Sequence, residues 1–391
     1  MKKEMFNGYL YGYLNEYYLN KTYLTEEVDF SYKKLKVNKI LSYLKIPSKY
    51  FQKFSSFILI ISKIEITISI LILFYRLVKY SLKYMFTSKN YIKNSKLMLG
   101  LNCDKMVFFK MLESVNVTKD DFVIVEIPTV KTKYTDFKRI SIFKGIRFLD
   151  ILKSFMFSLE MVFLMKKKYG RRDFLFRAHS SFEYFLCYFF VTRSDRTNVY
   201  YFDALIDRWA YLLGNINHTT YLIQHGILGD AFKKLKKIGS VNYAYYIDEE
   251  QKEICEKKLF ENKPVAYFRN SLKFNSNEKL VKNEFKNVLL ICNMIFYEKE
   301  KEIIKDLEKK EINLYVKPHP ADSYDPYNKL LTNNNFILLE KKDLLEVDVV
   351  ISYISTLATE YEKNNTLVLR YSDESFLEDY NKVFGNNKVK A

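Results

Sequence analysis

Hydrophobic and polar residues follow two different periods along this chain, and these periods predict its secondary structure. Short apolar runs rich in β-branched and aromatic residues, such as "DFVIVEIP" at 121–128 and "NVYYFD" at 198–203, predict buried strands. Longer stretches with apolar residues every three or four positions, such as residues 141–168, predict the helices between them. Strands that alternate with helices in this way predict a parallel sheet with helices on both faces.

The same alternation begins again in the last third of the chain. The runs "KNVLLICNM", "INLYVKPHP" and "VDVVIS" predict strands, with helices between and after them. We therefore predict two Rossmann-like α/β domains, at residues 101–250 and 251–391, that face each other across a cleft. Ligands bind at the carboxyl ends of the strands in such sheets, so we expect the functional site at that edge.

Residues 1–100 differ from the rest and predict an extra N-terminal segment, mostly helical, hydrophobic and basic. Residues 54–86 are nearly long enough to span a bilayer, but Lys63 and Glu65 place charges in the middle of that stretch. Isoleucine recurs at every second position over residues 64–70, which is the period of a strand.

A helical period follows these isoleucines. Basic residues share one face and apolar residues lie roughly opposite, namely Arg76, Lys79 and Lys83 against Val78, Leu82 and Met85. Three interpretations remain open at this point: an ordinary buried strand and helix, a basic amphipathic helix that lies on an anionic membrane, and a membrane span.

The net positive charge only slightly restricts the classes of binding partner that the sequence allows. The formal net charge of the 391 residues is +17, which suits nucleic acid, an anionic membrane or a phosphorylated ligand. The sequence contains no finger spacing of Cys and His and no aromatic RNA-binding box, so we expect no nucleic-acid partner. The basic residues are spread along the chain, and we favour a membrane surface or a phosphate.

The four cysteines predict neither a metal site nor a redox pair, because Cys103, Cys187, Cys255 and Cys292 are far apart and form no CxxC pair. The first residues, "MKKEMFNGYLYGYLNEYY", contain no apolar core of a secretory signal. We therefore expect a cytoplasmic protein, peripheral on the inner face of the cell membrane.

Three of the four histidines follow predicted strands. His179 ends "FLFRAH", His225 ends "YLIQH" and His319 ends "LYVKPH", whereas His218 lies elsewhere. Each histidine can be a structural residue, but three histidines at the carboxyl edge of a sheet indicate a functional site.

Two prolines hold His319 in a stiff loop. Pro318 has a fixed φ and favours an extended Lys317, and Pro320 does the same for His319. An imidazole held beside a lysine suits an anionic ligand such as phosphate. The alternative is a solvated lysine and a simple turn.

The stretch "VDVVISYISTLATEY" at 347–361 predicts a buried strand that delivers Ser352, followed by a helix that begins at Ser355 and Thr356. Hydroxyls at a helix start cap free N–H groups, and the same N-terminus can bind phosphate. Glu360, one turn into the helix, is a candidate for a ribose hydroxyl.

Together these stretches resemble a motif pattern of GT-B glycosyltransferases that build bacterial surface polysaccharides. A strand with Lys-Pro-His-Pro, then a strand with Ser-x-x-Ser-Thr-x-x-x-Glu, is similar to the HP and S motifs of bacterial sialyltransferases, polysialyltransferases and capsule Kdo transferases. It is also similar to the CDP-glycerol glycerophosphotransferases of teichoic acid synthesis. The resemblance covers about residues 310–365 and implies that His319, Ser355 and Thr356 hold the phosphates of a CMP- or CDP-linked donor.

The run "IQHGILGD" resembles, more weakly, the His-Gly of the glycerophosphotransferases. That resemblance implies His225 as the base that deprotonates the acceptor hydroxyl, and Gly226 as a point of close backbone approach. Gln224 stands where that family has Trp, and the two-acid motif of the sialyltransferases is absent. If an acid is the base, Asp203 or Asp207 is the better candidate; each can instead be a helix cap or a surface acid.

We therefore expect a metal-independent glycosyltransferase that passes a sialic acid-like or Kdo-like sugar from a CMP-activated donor to a glycan or lipid-linked acceptor. Lys317 would help to stabilise the leaving phosphate, and His179 or Ser180 would line the acceptor side. No cofactor is expected beyond the nucleotide-activated donor. The alternatives are a CDP-glycerol transferase, a nucleotide-sugar 2-epimerase and a non-catalytic capsule-assembly protein.

Overall fold

The chain forms two compact units, each built on a parallel β-sheet. A computed structural model describes residues 2–25, 65–87, 93, 95–99, 118, 120, 122–128, 138–169, 178–203, 205–224, 226–228, 235–270, 274, 280–281, 283–293, 296–319, 324–332, 334–340, 343–353 and 355–385. The first unit takes in residues 1–102, 118–224 and 228–268, and the second takes in residues 103–117, 225–227 and 269–391.

The first unit contains a seven-stranded sheet in which each neighbouring pair of strands is parallel. Its strand order is β3-β2-β1-β4-β5-β6-β7, which begins with the doubly wound order of a Rossmann sheet. The strands are β1 (Lys96–Met98), β2 (Phe122–Glu126), β3 (Lys138–Ser141), β4 (Val199–Phe202), β5 (Thr219–Ile223), β6 (Tyr243–Tyr246) and β7 (Val265–Phe268).

Six helices belong to the described part of this unit: α1 (Lys2–Thr25), α2 (Glu65–Met85), α3 (Phe148–Tyr169), α4 (Ser181–Arg193), α5 (Arg208–Leu213) and α6 (Glu249–Lys258). One hydrophobic core joins them, with buried residues from the strands and from all six helices. The long helix expected within residues 141–168 is confirmed as α3.

The described residues of the N-terminal segment are mostly helical, as predicted, and they pack into the first unit. Helix α1 buries one face, where Phe6, Tyr9 and Tyr13 recur at helical spacing and join the core. The amide of Asn15 donates to the hydroxyl of Tyr211 at 2.9 Å and to the carbonyl of Lys236 at 3.0 Å. These contacts tie α1 to α5 and to the loop before β6.

The two-residue period of the isoleucines does not give a strand in the described residues, because residues 65–85 form the single helix α2. Its buried face carries Ser69, Leu73 and Tyr80, which have the spacing of a helix. Packing of this face decided the structure over the local β-branched pattern. Arg76 also turns inward, so the predicted division of α2 into a basic face and an opposite apolar face is wrong at this residue.

The second unit contains a five-stranded parallel sheet in the order β10-β9-β8-β11-β12, which repeats the doubly wound pattern. The strands are β8 (Lys286–Cys292), β9 (Ile312–Pro318), β10 (Ile337–Leu338), β11 (Val349–Ser352) and β12 (Leu367–Arg370). The helices are α7 (Tyr297–Leu307), α8 (Asp325–Leu331), α9 (Thr356–Lys363) and α10 (Phe376–Phe384). The prediction of two Rossmann-like α/β units is confirmed.

The border between the units differs from the expected residue 250. Residues 249–258 form α6, and β7 at Val265–Phe268 pairs with β6 at the edge of the first sheet. This βαβ connection keeps residues up to 268 in the first unit, because a parallel strand can add to a sheet only through such a crossover.

Gly12 provides a test of how α1 packs. A methyl group at Gly12 would lie 2.5 Å from the backbone nitrogen of Arg208, at the start of α5. In an exposed helix, Gly→Ala would stabilise by about 1 kcal/mol through helix propensity. At this close backbone contact we expect Gly12→Ala to lower the free energy of unfolding by about 1–3 kcal/mol instead, measured by urea denaturation.

Lys3→Ala is the matched control, because Lys3 is exposed on the same helix. Its effect should stay within about 0.5 kcal/mol. A Gly12→Ala protein more stable than the wild type would contradict the packing of α1 on α5.

Candidate functional site

The carboxyl edge of the second sheet carries His319, Ser352, Ser355 and Thr356 from the predicted donor set. Strand β8 lies between β9 and β11; its Cys292 is level with Pro318, and its Ile291 is level with Ser352. Residues that leave β9 and β11 therefore start about 10 Å apart, two strand spacings, on either side of the end of β8. The neighbours β8 and β11 form the topological switch point, where ligands bind in open α/β sheets.

His319 lies where the sequence predicted it. It directly follows Pro318, the last residue of β9, and its side chain is exposed. The strand is buried up to Pro318, so the imidazole stands at the end of a rigid element. Pro320 lies outside the described residues.

Lys317 points away from this edge and into the protein. It is 4% exposed, and its ammonium donates to the carbonyls of Glu340 at 2.8 Å and Asp343 at 2.7 Å. These carbonyls belong to the loop between β10 and β11. The lysine therefore holds this loop against β9.

The start of α9 follows the end of β11 closely. Ser352 ends β11 and is 2% exposed. Ser355 is the N-cap of α9, and its hydroxyl oxygen accepts a hydrogen bond from the backbone N–H of Leu357 at 3.2 Å. The predicted capping role is thus present, and the hydroxyl hydrogen of Ser355 remains a donor.

Thr356, the first residue of α9, connects this edge with the predicted His-Gly stretch. Its Oγ1 accepts a hydrogen bond from the backbone N–H of Ile227 at 3.3 Å, and residues 225–227 cluster with the second unit. Gly226 precedes this contact, and a Cβ placed on Gly226 would meet no atom within 4 Å. His225 lies outside the described residues.

Glu360 makes a different contact from the expected ribose hydrogen bond. It is fully buried, and its carboxylate pairs with the guanidinium of Arg269, which is also buried. Each charge compensates the other where water is excluded. The pair anchors the first residue of the second unit's C-terminal segment to the middle of α9.

Sequence reasoning missed a buried carboxylate behind the switch point. Glu300 of α7 accepts hydrogen bonds from the N–H of Asn293 at 2.7 Å, the hydroxyl of Tyr327 at 2.7 Å and the hydroxyl of Tyr371 at 2.8 Å. It thereby ties together the ends of β8 and β12 and helix α8. Its spacing to Ile303, Ile304 and Leu307 was the signal that it lies on the buried face of a helix otherwise rich in charge.

Aromatic side chains from three strand ends pack together beside Glu300. Phe296 stacks on Tyr353 with ring centroids 4.0 Å apart, and the rings of Tyr353 and Tyr371 are 5.5 Å apart. Tyr353 directly follows Ser352, so this packing fixes the backbone that delivers Ser352 and Ser355. The edge is therefore supported by a rigid apolar layer.

In the first unit, the two candidate acids have different environments. Asp207 is the N-cap of α5 and accepts from the N–H groups of Trp209 at 2.8 Å and Ala210 at 3.1 Å, so it is a helix cap. Asp203 directly follows β4 and is fully buried, so it is not a surface acid. Since β1 and β4 form the switch point of the first sheet, Asp203 occupies the corresponding place there.

His179 and Ser180 lie in the 3₁₀ turn Ala178–Ser180 that leads into α4; residues 171–177 are outside the described part. Burial, with the positive charges of Arg76 and Arg208, lowers the pKa of His179 to about 3. The imidazole is therefore neutral at physiological pH. The hydroxyl of Ser180 lies 2.7 Å from that of Tyr9.

A buried ion pair holds this turn in place. Arg76 donates to the carbonyl of His179 at 3.0 Å and pairs with Glu183 at 2.7 Å, and the hydroxyl of Tyr80 also donates to Glu183. Burial raises the pKa of Glu183, and Arg76 and Tyr80 oppose that shift. The acceptor-side candidates are thus positioned by helix α2.

Among the described residues, no group of three or more His, Cys, Asp and Glu side chains is arranged to hold a metal ion. Within the part of the chain that the structure describes, Cys187, Cys255 and Cys292 are buried thiols outside any disulfide.

No family model matches the chain, and no curated protein matches it by sequence. Similar solved structures include the wall teichoic acid polymerase TagF, at 12% identity, 83% coverage of each chain and a TM-score of 0.40. MurG of Acinetobacter baumannii is 11% identical, with 74% of this chain and 81% of that chain covered and a TM-score of 0.34. TarM is 12% identical, with 56% of this chain and 53% of that chain covered and a TM-score of 0.32. At TM-scores below 0.5, these likenesses assign no activity to the chain.

Glu300 makes the stability of the protein depend on pH. Burial raises its pKa from 4.5 to about 7, although the hydrogen bonds from Asn293, Tyr327 and Tyr371 oppose the shift. The folded state then holds a proton that the unfolded state has released, so the free energy of unfolding falls as pH rises from about 4.5 to about 7. Between these pH values the free energy of unfolding should therefore decrease by about 3 kcal/mol less in Glu300→Gln than in the wild type. Urea denaturation at several pH values across the range measures this difference.

Glu302→Gln, an exposed change on the same helix, should keep the wild-type pH profile. Parallel profiles for Glu300→Gln and wild type would show that Glu300 does not titrate in this range.

Proposed function

We propose that this protein is a metal-independent glycosyltransferase of the GT-B type that acts in the synthesis of a bacterial surface polysaccharide. It would transfer a sialic acid-like or Kdo-like sugar from a CMP-activated donor to a glycan acceptor. The observation that carries the proposal is the carboxyl edge of the second sheet. There His319 and the Ser352–Thr356 turn flank the end of β8 at the switch point.

The donor phosphate would lie between His319 and the N-terminus of α9. Hydroxyl groups of Ser355 and Thr356 accept backbone hydrogen bonds and retain their own O–H as donors. The positive end of the helix dipole and the imidazole N–H of His319 would add to the attraction for the phosphate. Lys317 would act indirectly, because its ammonium holds the loop between β10 and β11.

Transfer requires a base for the acceptor hydroxyl and stabilisation of the leaving nucleotide. His225 would take the acceptor proton as the acceptor oxygen attacks the anomeric carbon of the sugar. The bond from that carbon to the phosphate oxygen would break, and CMP would leave with the electron pair. Asp203 is the alternative base, because it is buried at the switch point of the first sheet.

The acceptor would be a growing glycan, lipid-linked or free, and no nucleic acid is involved. Neutral His179, with Ser180 and the unobstructed backbone at Gly226, would line its side. A lipid-linked acceptor would place the enzyme in the cytoplasm on the inner face of the cell membrane. CDP-glycerol transfer at the same edge and a non-catalytic role in capsule assembly are the alternatives.

Nucleotide binding tests the donor site. We expect CMP or CDP, but not UDP or GDP, to raise the melting temperature of the wild type, since a ligand of the native state stabilises it. His319→Ala should lose that shift. His218→Ala is the matched control, because His218 lies in the first unit beside Ser194, and it should keep the shift.

A shift with UDP or GDP alone would overturn the cytidine donor. The absence of a shift with all four nucleotides would overturn the donor site and favour the non-catalytic alternative.

Single-turnover transfer separates the two candidate bases. We expect His225→Ala to lower the transfer rate by at least about 100-fold, the usual contribution of a general base, with the nucleotide-induced melting shift unchanged. Asp203→Asn, a nearly isosteric change, should reduce the rate much less. The reverse ranking of the two variants would assign the base to Asp203.

A further inference from the structure

The first unit presents a large apolar surface that its own described residues leave exposed. Twelve of the 21 large apolar side chains exposed in the described part of the chain belong to α2, the residue after it, and α3. They are Leu71, Phe74, Tyr75, Val78, Leu82, Met85 and Phe86, then Phe148, Leu149, Leu152, Met156 and Phe163. An apolar surface of this extent indicates an interaction site.

These side chains form one stripe along each helix. On α2 they recur at three- and four-residue steps from Leu71 to Phe86, opposite the buried Leu73 and Tyr80. On α3 they lie opposite the buried Ile151 and Met161. Neither stripe is the core-facing side of its helix, because those sides already pack in the first unit's core.

The two stripes lie side by side. The rings of Phe74 and Phe155 are 5.0 Å apart, and those of Tyr84 and Phe148 are 5.9 Å apart, so α2 and α3 run antiparallel and in contact. Both helices bury their inner faces in the same core, and their outer faces therefore point the same way. The result is a two-helix apolar surface about 23 Å long, from the fifteen residue steps of each stripe.

The charges around this surface are almost all positive. The exposed basic residues on and next to the two helices are Lys79, Lys83, Arg147, Lys153, Lys166 and Lys167. Among the side chains of α2 and α3 whose exposure is described, at 66–85 and 148–167, Glu160 is the one exposed acid, since Asp150 is buried and paired with Arg193. Phe, Tyr, Leu and Met side chains bordered by Lys and Arg are typical of helices that lie in the headgroup layer of an anionic bilayer.

We propose that α2 and α3 together dock this protein on an anionic lipid surface, with both apolar stripes inserted to the depth of the headgroups. Among the residues that the structure describes, no helix is long and apolar enough to cross a membrane. Arg76 takes no part in lipid binding, because its guanidinium pairs with Glu183 inside the unit. The inference stands on this surface alone and does not depend on the proposed transferase activity.

Flotation of the full chain with vesicles tests the proposal. The wild type should float with phosphatidylcholine vesicles that contain about 30 mol% phosphatidylglycerol and should bind pure phosphatidylcholine at least about tenfold less. The triple variants Leu71→Gln/Val78→Gln/Met85→Gln on α2 and Leu149→Gln/Met156→Gln/Phe163→Gln on α3 should each bind at least about tenfold more weakly. Lys79→Gln/Lys83→Gln should weaken binding to anionic vesicles only.

The matched control is Val281→Gln/Leu367→Gln/Leu377→Gln, which removes exposed apolar side chains of the second unit and should bind vesicles as the wild type does. Unchanged melting temperatures show that a variant is folded.

Equal flotation of all variants would overturn the proposal. A second result would also overturn it: triple variants that still float but that no longer self-associate in analytical ultracentrifugation. The surface would then join two copies of the chain. Vesicle binding without any nucleotide-induced melting shift would support this surface while contradicting the proposed donor site.

Discussion

All strands of a parallel sheet have their carboxyl ends at the same edge. In this protein that constraint places candidate site residues at the carboxyl edge of each sheet. The strand order reverses between β1 and β4 in the first sheet and between β8 and β11 in the second, so the chain leaves the two central strands in opposite directions. Asp203 follows one of these central strands and Ser352 ends another. His319 comes from β9, directly beside β8. Within each unit, residues far apart in sequence are thus brought to the sheet edge where the backbone itself leaves room for a ligand.

Buried ionisable side chains keep this edge in position. Glu300 ties the ends of β8 and β12 to α8, the Arg269–Glu360 pair anchors α9, and Lys317 holds the loop after β10. A charge enclosed by protein must keep its partners, because losing one leaves an uncompensated charge out of water. Each of these groups therefore restricts a loop or helix that borders the candidate site. The titration of Glu300 near pH 7 connects that restriction to stability.

The N-terminal helices combine structural and surface roles. Helix α1 fills the core through Phe6, Tyr9 and Tyr13, and α2 contributes Leu73, Tyr80 and the Arg76–Glu183 pair that supports His179. The outer side of α2 nevertheless carries an apolar stripe that continues on α3. A surface used for docking would therefore be connected to the turn that carries His179 and Ser180, since Arg76 of α2 donates to the carbonyl of His179.

The sequence by itself determined the alternation of strands and helices, both Rossmann-like units, the strand before His319 and the helix that begins after Ser355. These follow from local periodicity and from capping and proline chemistry, which depend on near neighbours. Tertiary structure alone decided that residues 65–70 are helical, that Arg76 and Lys317 point inward and that Glu360 pairs with Arg269. It also decided that Glu300, in a helix rich in charge, is buried and accepts hydrogen bonds from Asn293, Tyr327 and Tyr371. Each depends on a partner distant in sequence, and no local pattern records which charged side chain will find a compensating group inside the fold.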